Sequence, residues 1–162
     1  MIENSFNKSF NAILVAVNRN NDNFEVENSM NELESLVESA NGIVVGKIIQ
    51  KLDRINTSTY IGKGKVAELA EFVENLDVDA VVFDDELSGI QIRNLEDQVG
   101  TKVIDRTILI MDIFAARANS KEGRLQVELA QLQYRLPRLV GFGKSLSRLG
   151  AGIGTRGPGE KQ

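Results

Sequence analysis

The chain has 162 residues, 42% hydrophobic and 26% charged, with a formal net charge of −4, a composition that suits one globular core with an appendage. It contains neither cysteine nor histidine, which excludes disulfides, thiolate or imidazole zinc sites and imidazole general bases, and leaves only hard cations on oxygen ligands as metal candidates. No apolar run approaches the ~20 residues of a membrane span, and Met1–Phe10 lacks a signal peptide's apolar stretch, so the expected location is the cytoplasm.

Ala12–Val17 (AILVAV) is a short, β-branched apolar run, the pattern of a strand buried on both faces, and a polar NRNNDN stretch follows it. Ser29 and Glu32 have capping-box spacing, and Met30, Leu33, Leu36, Val37 and Ala40 recur at helical intervals, so a helix is predicted over 29–41 with Asn41-Gly42 as its stop. Ile43–Ile49 reads as a second strand. Gly64–Leu76 places Val66, Leu69, Ala70, Val73 and Leu76 on one helical face. Ala80–Phe83 (AVVF) is a third strand; Ser88 and Gln91 cap a helix that Gly100 ends; Lys102–Asp105 (KVID) is a fourth strand. Strands alternating with helices over residues 1–106 predict an α/β domain, a mostly parallel sheet of about four strands covered by helices.

From residue 107 to 162 the pattern is helical. Ile108–Ala118 is strongly apolar and should pack on the body, and Ser120 can cap a longer helix in which Leu125, Leu129, Leu132, Leu136 and Leu139 follow a 4-3-4-3 spacing. A lone leucine-seamed helix is unstable in water. Gly141–Gly159 holds 7 of the 14 glycines, so a long glycine-rich, mobile loop is expected from Gly141 on. Pro158 ahead of Glu160 suits entry into a further helix. The spacing therefore reads as the first half of a helical hairpin; the alternatives are a seam that docks on the body or self-association through Leu125, Leu129, Leu132 and Leu136. Charge divides at the same place. Residues 1–116 carry 10 Lys/Arg against 20 Asp/Glu, whereas residues 117–162 carry 9 against 3. A segment of net charge +6 on a body of −10 attracts polyanions.

Several runs, in order, resemble the amino-terminal region of the HflX family of translational GTPases: YIGKGK at Tyr60–Lys65, FDDELS at Phe83–Ser88, RNLE at Arg93–Glu96, DRT at Asp105–Thr107, LQVELA at Leu125–Ala130, LPRL at Leu136–Leu139 and GIGTRGPGE at Gly152–Glu160. The resemblance covers about residues 60–160. It implies an HflX-type α/β domain, a helical hairpin, and then a GTPase domain, with its GTP and Mg2+, that this chain lacks, so the chain itself is not expected to be an enzyme or to hold a cofactor. It also implies binding to the large ribosomal subunit and its rRNA, and the splitting or rescue of ribosomes. Two departures from the family pattern are visible: Gly89 stands where a proline commonly follows the capping serine, and Asn56-Thr57-Ser58-Thr59 replaces a proline-bearing approach to Tyr60. Both are expected to loosen the backbone locally.

The candidate chemistry is sparse. Gly141–Ser145 (GFGKS) mimics the end of a P-loop, but position 138 is arginine where a glycine is needed and a leucine-seamed helix precedes it. Phe142, Lys144, Arg148, Gly152, Gly154 and Arg156 are the RNA-contact candidates: cations for phosphate, glycines for close backbone approach and a ring to stack on a base. A solvated loop with scattered charges is the alternative. Gly62, Lys63, Gly64 and Lys65, at a helix amino terminus, are candidates for an anion or nucleotide, or simply a glycine turn. Asp84, Asp85 and Glu86 read as a cation site or, more simply, as solvated charges beside a helix start. No metal site and no catalytic constellation is predicted.

Overall fold

The computed structural model describes residues 8–153, with side-chain environments through Pro137. Its centre is a four-stranded, all-parallel sheet with strand order β2-β1-β3-β4, in which β1 is Phe10–Asn18, β2 Gly42–Lys51, β3 Ala80–Phe83 and β4 Lys102–Asp105. Helices α1 (Asn23–Ser39), α2 (Lys63–Asn75) and α3 (Gly89–Val99) form the crossovers, and α4 (Arg106–Arg117) and α5 (Lys121–Ile153) follow the last strand.

The sheet is covered on both faces because β1 alternates within an unbroken apolar run. Ile13, Val15 and Val17 pack with Val66, Leu69 and Val73 of α2 and Leu95 and Val99 of α3. Ala12, Leu14 and Ala16 face the other way, onto Met30, Leu33 and Val37 of α1 and Ile108, Leu109 and Ile113 of α4. A strand apolar at every position has no polar face to offer solvent, so a helical layer on each side is its stable arrangement. Gly42, opening β2, lets Phe10 and Val37 close over it: a Cβ there would lie 2.5 Å from Val37 Cγ1 and 2.7 Å from Phe10 Cζ. Gly42→Ala is expected to cost about 1–3 kcal/mol by overpacking, read as a lower urea midpoint with an unchanged m-value.

Helix α5 contacts both α3 and α4. Those helices lie on opposite faces of the sheet, so α5 bridges them past the open edge beside β4. Glu96 Oε2 blunts that edge by accepting the Val103 amide of β4 at 3.0 Å.

Three local expectations change. Helix α1 begins at Asn23, not 29, because Asp22 Oδ1 accepts the Glu25 amide at 3.1 Å and supplies an earlier cap; Ser29 and Glu32 form no capping box and are used elsewhere. Around Asn56, side-chain hydrogen bonds replace the stiffness that proline would provide: Asn56 Oδ1 accepts the Ser58 and Thr59 amides at 2.7 and 3.1 Å, and Asn56 and Tyr60 pair through their backbones. The backbone of α5 continues through Pro137 and on to Ile153, where a loop was expected from Gly141. Each glycine weakens a helix by only about 1 kcal/mol, and a formed helix extends at one hydrogen bond per residue. The capping box of α3 is present as predicted, with Ser88 and Gln91 bonded reciprocally, and Gly100 ends that helix in the left-handed region at φ 78.

Candidate functional site

The strand order reverses direction between β1 and β3, and their carboxyl ends open a cleft, the position where open parallel sheets take ligands. Its volume is about 380 Å3, and its lining includes Asn18, Arg19, Glu25, Tyr60, Asp84 and Asp85.

Three of the runs singled out above meet at this edge. Asp84, just past β3, has a side chain only 9% exposed; Ser29 Oγ donates to its Oδ2 at 2.5 Å, and Arg106 Nε lies 3.1 Å from its Oδ1. Arg106 also reaches the Ser29 carbonyl at 2.9 Å and Glu32 at 3.4 Å. Asp85 accepts from the Tyr60 hydroxyl. Burial, reinforced by the bond to Asp85, raises the Tyr60 pKa well above the usual phenol range, so the hydroxyl stays a donor. The Tyr60 backbone has φ 68, a strained value for an aromatic residue. The adjoining bridge to Asn56 holds it, and its ring meets Phe83 edge-on at 6.1 Å.

Asp105 is wholly buried, and its carboxylate accepts the Leu87 amide at 2.9 Å, the Ile108 amide at 3.0 Å and the Tyr134 hydroxyl at 2.7 Å. One side chain thus caps α4, ties down the turn after β3 and anchors α5. A second anchor lies farther along α4: Gln131 Nε2 donates to Asp112 Oδ1 at 2.7 Å, and Arg135 approaches the same atom at 3.5 Å. Burial raises the Asp112 pKa, with Arg135, Lys102 and the Gln131 bond opposing. A carboxyl group with a raised folded-state pKa contributes stability that is complete below the unfolded value of about 3.9 and is lost as pH rises through the folded value. Asp112→Asn, which keeps an acceptor for Gln131, is therefore expected to hold or raise stability at neutral pH and to flatten its pH dependence above about 3.9, measured by urea melts from pH 4 to 7.5.

Asp84, Asp85 and Glu86 were read as solvated charges or a cation site. Two of them instead hold the Arg106 and Tyr60 side chains, and no cluster of metal-ligating residues exists among the described residues. Gly62 is the amino-terminal cap of α2 and donates its amide to Gln50 Oε1 at 2.9 Å; Lys63 and Gly64 are exposed, and Lys65 pairs with Glu68 at 3.1 Å. That helix start carries no side-chain cap, leaving its first amides toward solvent at the same edge as the cleft. Leu125, Leu129, Leu132 and Leu136 are 54–57% exposed, because α5 docks with the face that bears Gln131, Tyr134 and Arg135. Phe142, Lys144, Arg148 and Gly152 fall on the α5 backbone, and their side chains lie outside the described residues, as do Gly154 and Arg156 altogether. Gly141–Ser145 is helical, which leaves no loop there to wrap a phosphate. Among the described residues, no helix is long and apolar enough to cross a membrane.

Comparison with known proteins places this architecture. Residues 27–115 match the family model of the GTP-binding GTPase N-terminal region, and residues 117–162 match the GTP-binding GTPase middle region. The GTPase HflX of Alkalihalophilus pseudofirmus is 58% identical over 150 residues, 93% of this chain and 36% of that protein. That of Caldanaerobacter subterraneus subsp. tengcongensis is 60% identical over 149 residues, 92% and 34%.

The chain belongs to the HflX family.

It spans about a third of the length of these relatives. Among solved structures, a GTP-binding protein from the hyperthermophilic archaeon Sulfolobus solfataricus in complex with GDP superposes with a TM-score of 0.62 at 27% identity, covering 83% of this chain and 40% of that one. The HflX-type α/β domain, a parallel sheet with flanking helices followed by a helical extension, is thereby shown for this chain. Asp105, Arg106 and Tyr134, which organise the edge, carry no functional reading of their own in the sequence. The signal for Asp105 and Arg106 was the DRT run at the end of a predicted strand; Tyr134 had none.

Proposed function

We propose that this chain is the ribosome-docking region of an HflX-type GTP-binding protein that binds the large ribosomal subunit through its rRNA and serves to split or rescue ribosomes. The carrying observation is the outward leucine row on α5: Leu125, Leu129, Leu132 and Leu136 stay exposed while the helix is tied to the body by Asp105 and Asp112. A helix anchored in this way is an arm. Its charge changes sign relative to the body, +6 against −10, so it meets a polyanion while the acidic sheet is held off. The leucines accept a second helix, supplied by a following segment of a longer chain. GTP and Mg2+ binding and hydrolysis belong to the remainder of the longer protein.

Cosedimentation with purified large subunits tests this. Binding should fall steeply between low and moderate salt and vanish on truncation after Leu139; binding that is undiminished at high salt, or intact after truncation, overturns it. A second reading, a nucleotide held at Gly62–Lys65, is favoured by the uncapped start of α2. Calorimetry with ATP and GTP separates the two: a nucleotide affinity abolished by Lys63→Ala and untouched by Arg156→Ala would select the second.

A further inference from the structure

We infer that the leucine row of α5 is self-complementary and pairs this chain with a second copy of itself, the two α5 helices running antiparallel. The inference shares the outward leucine row with the docking proposal and needs no RNA. In the 162-residue chain a second copy takes the place that a following helix fills in a longer protein.

Leu125, Leu129, Leu132 and Leu136 are spaced 4-3-4, a pattern that is the same in either direction. About a twofold axis between Ala130 and Gln131, Leu125 therefore meets the partner's Leu136 and Leu129 meets the partner's Leu132, and each pair occurs twice. A twofold contact needs such a patch, in which every residue is answered by its counterpart on the other copy. All four leucines are more than half exposed. At about 100° per residue the row lies roughly opposite Gln131 and Tyr134, which bond to Asp112 and Asp105. A second helix on that side meets neither body.

The flanks set the direction. Glu128 and Arg135 each precede a leucine of the row, on one flank, and Gln126 and Gln133 each follow one, on the other. In the antiparallel register Glu128 lies beside the partner's Arg135, twice, and Gln126 beside the partner's Gln133. In a parallel pair Glu128 would face the partner's uncharged Gln133 instead. Glu128 is exposed, and the Arg135 side chain, although it approaches Asp112, is 41% exposed, so both groups reach the surface. Such pairs add little affinity but choose orientation. Four leucine layers on one helix bury less than the ~1,200 Å2 of a stable interface, so the dimer is reversible and concentration-dependent.

Sedimentation equilibrium of the full chain from about 10 to 500 µM should show its mass rising toward twice the monomer value. Leu129→Glu with Leu132→Glu should abolish the rise and leave the urea melt unmoved, because both side chains are solvent-exposed. Glu128→Arg should weaken the dimer about tenfold at low salt, and Glu71→Arg, on α2, should not. The chain has no cysteine, so introduced thiols report the register. Leu125→Cys with Leu136→Cys should give a covalent dimer on oxidation. Leu125→Cys alone should not, since the two copies of position 125 lie ~16 Å apart in the antiparallel pair. A strictly monomeric chain at the highest concentration, a dimer that survives Leu129→Glu with Leu132→Glu, or cross-linking by Leu125→Cys alone would overturn the assignment.

Discussion

Replacing Asp105 with alanine is expected to destabilise the chain by about 3 kcal/mol or more, because two backbone amides and a hydroxyl lose one shared acceptor and each stranded donor costs about 1–3 kcal/mol. The residue is 0% exposed, with the Leu87 and Ile108 amides and the Tyr134 hydroxyl all within 3.0 Å, so water has no direct route to the vacated site. Asp105→Asn should cost nearly as much although it is isosteric. Both carboxylate oxygens accept, and an amide turns an N–H toward one of the donors. Tyr134→Phe removes only one of the three bonds and should cost about 1 kcal/mol, while loosening α5 from the body. Urea unfolding with amide exchange across α5 reads these values. If Asp105→Asn melted with the parent, the carboxylate would not be the organising group of this edge.

The second large effect concerns the arm. Changing Lys144, Arg148 and Arg156 together to alanine is expected to lower the slope of log affinity against log salt by about 2, and to weaken large-subunit binding more than tenfold at low salt, since each lost phosphate contact releases about 0.7–0.9 fewer counterions. The substitutions follow the last strand and α4 in the sequence, so the melt of the α/β body should not move. Changing three body lysines, Lys47, Lys51 and Lys63, makes the contrasting control, because these sit in the acidic half. If the control lost affinity as strongly as the arm variant, the binding surface would be the body and the docking proposal would fail.

Much of the body was legible because its signals are local. The β3 strand, the β4 strand and the Ser88–Gln91 cap lie where short-range pattern put them, since apolar alternation and capping depend on neighbours a few residues apart. The start of α1 was misplaced for the same reason. Ser29–Glu32 has the spacing of a capping box, but spacing alone cannot show that Asp22 caps first, nor that Ser29 and Glu32 bond across the fold to Asp84 and Arg106. Gly62–Lys65 reads as an anion or nucleotide site because a helix start offers free amides beside two lysines. The cleft at the same edge is lined from residues 16–29, 60 and 84–85, three separate stretches that no local pattern joins.

By itself, the sequence determined the alternation of strand and helix, the leucine spacing of the long helix and the reversal of charge near residue 117; all three are properties of adjacent residues. Only the tertiary structure decided the strand order, which face of α5 meets the body, and the fate of the acidic run at 84–86. A carboxylate is solvated or paired according to what folding brings within about 3 Å of it, and for Asp84, Asp85 and Asp105 those groups, the Ile108 amide that Asp105 caps apart, come from 18 to 55 positions away in the chain.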